Sequence, residues 1–271
     1  MKKIIDCITY FDEDMLLDFR LNILNDYVDY FVIVEGNKTW QNNLKKLRFD
    51  INKFQKFKKK IIYISVEDMP DGEDPYLREN FQRNSIMRGL TQSHENDLIL
   101  ISDLDEIPEP KKIKNFDNKM RYAVFKQKHF YYKFNLQSQR HPFWLGSRIC
   151  IKKYLKSPQW LRDLKFKKRP FWRFDKRYLN NIIENGGWHF CNLKTPESLL
   201  YKYQNLCETN DPFHFKEKIE EKYLNIEEIS KRVATGDDII GRQDHFNKIS
   251  LDNSFPEYLI RNKHLFKDWI L

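Results

Sequence analysis

The sequence predicts an α/β fold: a mostly parallel sheet flanked by helices, with a helical C-terminal third. Three observations carry this expectation. Short β-rich runs at residues 3–9, 30–35 and 61–65 alternate with helical segments, the arrangement that builds a parallel sheet through crossovers. The run Leu98-Ile-Leu-Ile-Ser-Asp103 is apolar almost to its acid, as a strand covered on both faces must be. Beyond residue 195 the pattern turns helical, at 196–206, 215–223 and 226–234.

Taken in order, the first strand leads through Asp12, a candidate cap, into a helix over 14–24. Met15, Leu16, Leu17, Phe19, Leu21, Ile23 and Leu24 cover most of its circumference, so it should be largely buried. The second strand ends on Glu35, which places that acid at a carboxyl end of the sheet, where open α/β sheets bind their ligands. After the turn-rich 68–75 segment, a helix over 76–91 sets Glu79, Gln82 and Arg83 on one face with Ile86 and Leu90, while Leu77 and Phe81 point the other way. Arg83 on such a face suits a phosphate or carboxylate; an incidental surface ion pair would look the same.

The strand over 98–102 empties into Asp103-Leu-Asp105-Glu106-Ile-Pro108. A bend there would turn two carboxylates toward one hard cation, which takes oxygen ligands and shares them with phosphates. Alone, an Asp-x-Asp also fits an acidic turn after a strand. Residues 122–152 are rich in aromatics, with β-like runs at 122–125 and 148–151 that extend the sheet and shape an acceptor pocket. Residues 160–178 interleave cations with aromatics, suited to an anionic membrane surface or to a solvated basic face. In Asn185-Gly-Gly-Trp188-His189-Phe, paired glycines permit close backbone approach, and His189 becomes a ligand only if it meets the Asp-x-Asp.

Composition narrows the chemistry. A formal charge of +9 favours anionic partners without choosing among them. With 8 glycines and neither GxGxxG nor GxxxxGK[ST], any phosphate must be held by metal and Arg rather than by a Gly-rich loop. Cys7, Cys150, Cys191 and Cys207 are scattered with no CxxC, as expected of reduced thiols. The apolar run after Met1 is too short for a signal peptide and no stretch approaches a membrane span. The expectation is a cytoplasmic protein, peripheral to the membrane through 160–178. No repeat, low-complexity block or linker divides residues 1–271, which are read as one domain.

Several blocks, in order along nearly the whole chain, resemble glycosyltransferase family 17. They are Cys7-Ile-Thr-Tyr-Phe-Asp-Glu13, Phe31-Val-Ile-Val-Glu35-Gly-Asn-Lys-Thr39, Arg78-Glu-Asn-Phe-Gln-Arg-Asn84 and Ile101-Ser-Asp-Leu-Asp-Glu-Ile-Pro108. Gly186-Gly-Trp-His189-Phe, Thr195-Pro-Glu197, Gly236-Asp-Asp238 and Pro256-Glu-Tyr-Leu259 follow. The resemblance implies a GT-A-like, Rossmann-related domain, with residues 1–115 as its nucleotide-binding half and 116–271 as its acceptor half and helical part. It implies inverting transfer of a sugar, GlcNAc from UDP-GlcNAc, to a glycan or lipid-linked glycan hydroxyl in surface-glycan synthesis. Asp105 would bind Mn2+ or Mg2+, with Asp103 reaching the metal or the ribose and His189 a further ligand. Glu13, Glu35, Glu79, Gln82 and Arg83 would hold the donor. Inversion needs a base for the acceptor hydroxyl, and Glu208, Asp238 and Glu106 stand unranked as candidates. Two other readings of the same residues are a haloacid-dehalogenase-type phosphatase, using the first Asp as nucleophile, and a basic nucleic-acid-binding protein with steep salt dependence.

Overall fold

Strand β1 (Ile4–Tyr10) lies between β2 (Tyr30–Gly36) and β4 (Leu98–Asp103), and β3 (Ile61–Val66) borders β2; all three pairings are parallel. This is a computed structural model, and it describes residues 2–117, 119–166, 181–210, 219, 221–241 and 243–271. The two-residue period of the strands divides the apolar side chains between two layers. Ile8, Tyr10, Phe31, Ile33, Leu98 and Leu100 pack with helix α1 (Asp14–Leu24), whose Leu16, Leu17, Phe19 and Leu21 are buried as expected. Ile5, Cys7, Val32, Val34, Ile99 and Ile101 pack on the opposite face, against Ile86 and Leu90.

That opposite face is covered by α2 (Pro75–Asn84) and α3 (Ile86–Gly89). Asp74 caps α2 by accepting from the Tyr76 amide, with Pro75 at the first turn. The single helix expected over 76–91 is interrupted at Ser85, whose hydroxyl donates to the Phe81 carbonyl at 2.9 Å and competes with the helical ladder. The predicted faces hold in part: Gln82, Arg83, Ile86 and Leu90 are buried and Leu77 is exposed. Phe81, expected to point away with Leu77, is instead partly buried in the same cluster as Ile86 and Leu90, because the helix breaks at Ser85.

The chain then turns through β5 (Glu106–Pro108) and α4 (Pro110–Lys114) into β6 (Tyr122–Tyr131), β7 (Leu136–Ser138) and β8 (Phe143–Ile151). Both β6 and β8 are longer than the sequence runs suggested. β8 lies antiparallel between β4 and β6 and joins the two halves into one mixed, mostly parallel sheet. Helix α5 (Pro158–Asp163) packs beside α2, and β9 (Ile182–Ile183) pairs with β6. β10 (Gly187–Cys191) enters between β5, antiparallel, and β6, parallel. Gly187 makes this possible: its φ is 117°, and a Cβ there would lie 2.2 Å from the Ile107 carbonyl oxygen.

The C-terminal third is not the helical unit expected. Helices α6 (Pro196–Asn205), α7 (Ile226–Thr235) and α8 (Glu257–Arg261) are present but short, separated by 3-10 turns and by β11 (Phe246–Lys248), which pairs with β7. Phe246 explains the strand: its ring stacks on Tyr131 at 4.2 Å and 8°, which fixes an extended segment against the sheet. Most of the helix expected over 215–223 and all but the first residues of the 160–178 segment lie outside the described residues.

Candidate active site

The register puts the acids together. Thr9 of β1 stands opposite Asp103, and His189 of β10 stands opposite Glu106. A cavity of about 270 Å3 opens at this end of the sheet, lined among others by Glu13, Glu79, Gln82, Asp103, Asp105, Glu106, His189 and Glu208.

The turn from Asp103 to Glu106 is held from below by Arg20 of α1. Arg20 and Asp6 are both fully buried and paired through two bonds of 2.7 and 2.8 Å. One guanidinium nitrogen also donates to the carbonyls of Asp103 (3.4 Å), Leu104 (3.2 Å) and Glu106 (2.6 Å). From above, Arg162 of α5 bridges two of the acids, reaching Asp103 at 2.8 Å and Glu106 at 2.6 Å. Asp103 also meets Arg83 at 3.2 Å, and Arg83 pairs with Glu79 one helical turn away at 2.6 Å. Burial would raise the Asp103 pKa, but the Arg162 and Arg83 charges outweigh it and hold it below the usual range.

Asp105 has a different partner. Its Oδ1 lies 3.4 Å from Nε2 of His189. Burial opposes charge on both groups, yet the pair overcomes it: Asp105 is lowered by His189, and His189 is raised well above its ordinary value by Asp105. Asp105 therefore faces the cavity as a carboxylate, an oxygen donor that suits Mn2+ or Mg2+, while His189, charged and turned toward it through Nε2, orients that carboxylate. Asp103, with an arginine on each oxygen, is less available as a ligand.

Glu13, between β1 and α1, accepts from the amides of Phe11 (3.3 Å) and Asp12 (3.1 Å) and meets Lys194 at 3.2 Å. Burial would raise its pKa; Lys194 and Lys202 more than offset this and lower it. Lys202 of α6 donates to Asn192 at 3.0 Å. Its pKa is raised, because the negative potential of Cys191, Asp105 and Glu13 exceeds the cost of burial. Lys38, Lys194 and Lys202 all line the cavity. A nest of acids is thus ringed by cations, which favours an anionic ligand.

The other expected site residues divide. Gln82 lines the cavity, accepting from Trp40 and donating to the Val34 carbonyl at 3.2 Å. Glu208, in the 3-10 turn Cys207–Asn210, faces the cavity and is half-buried. Glu106 lines it but is only 1% exposed, and its carboxylate is taken by Arg162, by Trp144 Nε1 at 2.8 Å and by the Asp103 amide at 3.1 Å. Arg83 stands behind the lining, supporting Asp103. Glu35 and Asp238 are not brought to the cavity. Glu35 is fully buried and accepts from Lys45, Tyr63 and the Arg48 and Phe49 amides, fixing the segment after β2. Asp238 is buried beyond α7, where it accepts from the Ile240 amide at 3.0 Å.

Sequence reasoning missed Arg20, Trp144, Arg162, Lys194 and Lys202. Arg20 carried a signal: a cation within an otherwise apolar helix needs a buried counter-charge, and Asp6 is the acid inside the first strand. Arg162 sits in the 160–178 stretch whose interleaved cations suit a basic surface, and only the packing of α5 on α2 turns it inward.

Residues 1–267 match the family described as Glycosyltransferase family 17. The chain is 23% identical to the beta-1,4-mannosyl-glycoprotein 4-beta-N-acetylglucosaminyltransferases of Rattus norvegicus, Mus musculus and Homo sapiens, over 98% of its own length and 54% of theirs. It spans about half the length of these curated relatives. A crystal structure of S. aureus TarS 1-349 is 13% identical, covering 87% of this chain and 71% of that one with a TM-score of 0.37.

Proposed function

The chain belongs to glycosyltransferase family 17, and on that premise we propose that it transfers N-acetylglucosamine from UDP-GlcNAc to a glycan hydroxyl, with inversion and with a divalent metal. Membership in this family sets aside the phosphatase and nucleic-acid-binding alternatives. The observation that carries the proposal is the meeting of Asp103, Asp105 and His189 in one cavity edged by Lys194 and Lys202.

In this reading residues 1–115 form the nucleotide-binding half of a GT-A-like domain and 116–271 the acceptor half. Lys194 and Lys202 attract the donor diphosphate. Asp105, oriented by His189, would hold Mn2+ or Mg2+, and the ion when bound would neutralise charge on the departing diphosphate. Asp103 stays between Arg83 and Arg162 and keeps its carboxylate ionised beside the donor. Glu79 and Gln82 line the wall where the rest of the donor lies, and Glu13 fixes Lys194.

Glu208 is the base this reading favours, because it lines the cavity and is only half-buried there, whereas Glu106 is 1% exposed. The acceptor oxygen forms its bond to the anomeric carbon from the face opposite the diphosphate. Its proton passes to Glu208, and the diphosphate leaves with the electron pair of the broken bond.

A thermal-shift titration tests this. UDP-GlcNAc with Mn2+ should raise the melting temperature, since a ligand at 100 times its Kd stabilises by about 2.7 kcal/mol. Asp105→Ala should fold and lose that shift. A wild-type chain unmoved by any sugar nucleotide with metal, or an Asp105→Ala variant that keeps the shift, overturns the proposal.

A further inference from the structure

Behind the Asp105–His189 pair lies a second group of ligating atoms that the transferase reading does not use. His129 on β6 and His189 on β10 are directly paired in parallel register, and Cys191 follows His189 by two residues, so all three project from one face of the sheet. His129 Nε2 or Nδ1, His189 Nδ1 or Nε2, and Cys191 Sγ offer one atom each within 4.8 Å of one another.

The hydrogen bonds say which nitrogens are available. His129 Nδ1 is 3.1 Å from the His141 carbonyl and donates to it, which leaves Nε2 with a lone pair. His189 turns Nε2 to Asp105 and leaves Nδ1. Both remaining atoms, His129 Nε2 and His189 Nδ1, are buried without a hydrogen bond of ordinary geometry among the described residues, and the group that acts on the His189 ring from that side is the Cys191 thiol. His129 is 3% exposed and His189 8%. Buried polar atoms are seldom left unpaired, and two on neighbouring strands beside a thiol need an explanation.

We propose that His129 Nε2, His189 Nδ1 and Cys191 Sγ form a site for a thiophilic divalent cation, Zn2+. Two imidazoles and a thiolate select zinc over the oxygen-seeking Mg2+ and Mn2+. The outer partners match a zinc site as well: each ligating histidine sends its other nitrogen to a carbonyl or carboxylate, here His141 and Asp105. Tetrahedral zinc needs its nitrogen and sulfur ligands about 3.4–3.6 Å apart, so the cluster has to close slightly. The imidazoles, stacked at 4.6 Å and 4°, must also turn out of parallel, because a metal lies in the plane of each ring it binds. Binding displaces the thiol proton and any proton on the ligating nitrogens to solvent. Three protein ligands leave the fourth position to water.

The site goes beyond the transferase reading and does not depend on it. Zinc on Nδ1 leaves Nε2–H directed at Asp105, so His189 goes on orienting that carboxylate.

The test uses the full chain, freed of metal, with no nucleotide present. Co2+ alone, as a spectroscopic stand-in, should give a near-ultraviolet thiolate-to-cobalt absorption that saturates near one equivalent and is abolished by Zn2+. Cys191→Ser should remove the band and Cys150→Ala should keep it. His129→Gln should weaken Zn2+ binding at least 10-fold against a chromophoric chelator, and serves if Cys191→Ser fails to fold. A folded wild-type chain without the band, a band surviving Cys191→Ser, or unchanged Zn2+ affinity in His129→Gln overturns the proposal. Each of these outcomes leaves the nucleotide thermal shift untouched, so the two readings fail separately.

Discussion

Replacing Arg20 with methionine should be among the most damaging single changes outside the cavity. Its partner Asp6 is fully buried, and removing one member of a buried pair costs about 3–5 kcal/mol because the other charge is left uncompensated. At about 2–4 °C per kcal/mol for a chain near this size, the melting temperature should fall by roughly 6–20 °C. A second variant separates the pair from the turn above it. In Asp6→Leu with Arg20→Met no buried charge remains, and such apolar replacements are often neutral. The carbonyls of Asp103, Leu104 and Glu106 still lose their donor, at about 1 kcal/mol each. The double variant should therefore recover part of the stability, stay short of wild type, and show a weakened UDP-GlcNAc and Mn2+ shift because the Asp103–Glu106 turn is no longer held. Urea unfolding followed by circular dichroism reads the first effect and the thermal shift the second. A loss below about 1 kcal/mol in Arg20→Met would refute the reasoning, and full recovery in the double variant would show that the carbonyl contacts carry nothing.

Three further outcomes follow from the site. Glu208→Gln should lower the transfer rate by about 10²–10⁴-fold with an unchanged melting temperature, whereas Glu106→Gln should lower the melting temperature itself, because Arg162 loses a buried counter-charge; equal melting temperatures in the two variants would contradict this. Glu13 has a folded pKa below its ordinary 4.5, so its stabilisation is complete above that value and is lost as pH falls through the lower one. The urea midpoint should therefore drop from about pH 5 downward, and Glu13→Gln should make that drop shallower. Gly187→Ala should destabilise by about 1–3 kcal/mol through backbone strain alone, plus the clash with the Ile107 carbonyl; a neutral result in urea would show that β10 can move away from β5.

The strands and α1 were legible because burial on both faces writes long apolar runs, and the Asp-x-Asp was legible because it ends one of them. Glu35 was misleading for the same reason. A strand end is where ligands gather, but it is also where the following segment must be anchored, and Lys45, Tyr63 and two amides satisfy this acid internally. Arg162 and Lys202 lay beyond sequence reasoning, since their roles arise from α5 and α6 docking against elements far away in the chain. The C-terminal third misled because short amphipathic stretches read as helix, while the stacking of Phe246 on Tyr131 holds the neighbouring segment extended.

The placement of β10 also sets an order of assembly. It pairs with β5 and β6, both completed long before it emerges from the ribosome. Until residues 187–191 arrive, β5 and one side of β6 present open edges, which invite pairing with another chain. Asp103 and Asp105 are thus synthesised well before His189, and the imidazole is the last of the three to join. A nascent chain stalled between β9 and β10 would hold the acidic turn without its histidine, and that intermediate is where a chaperone has most to protect.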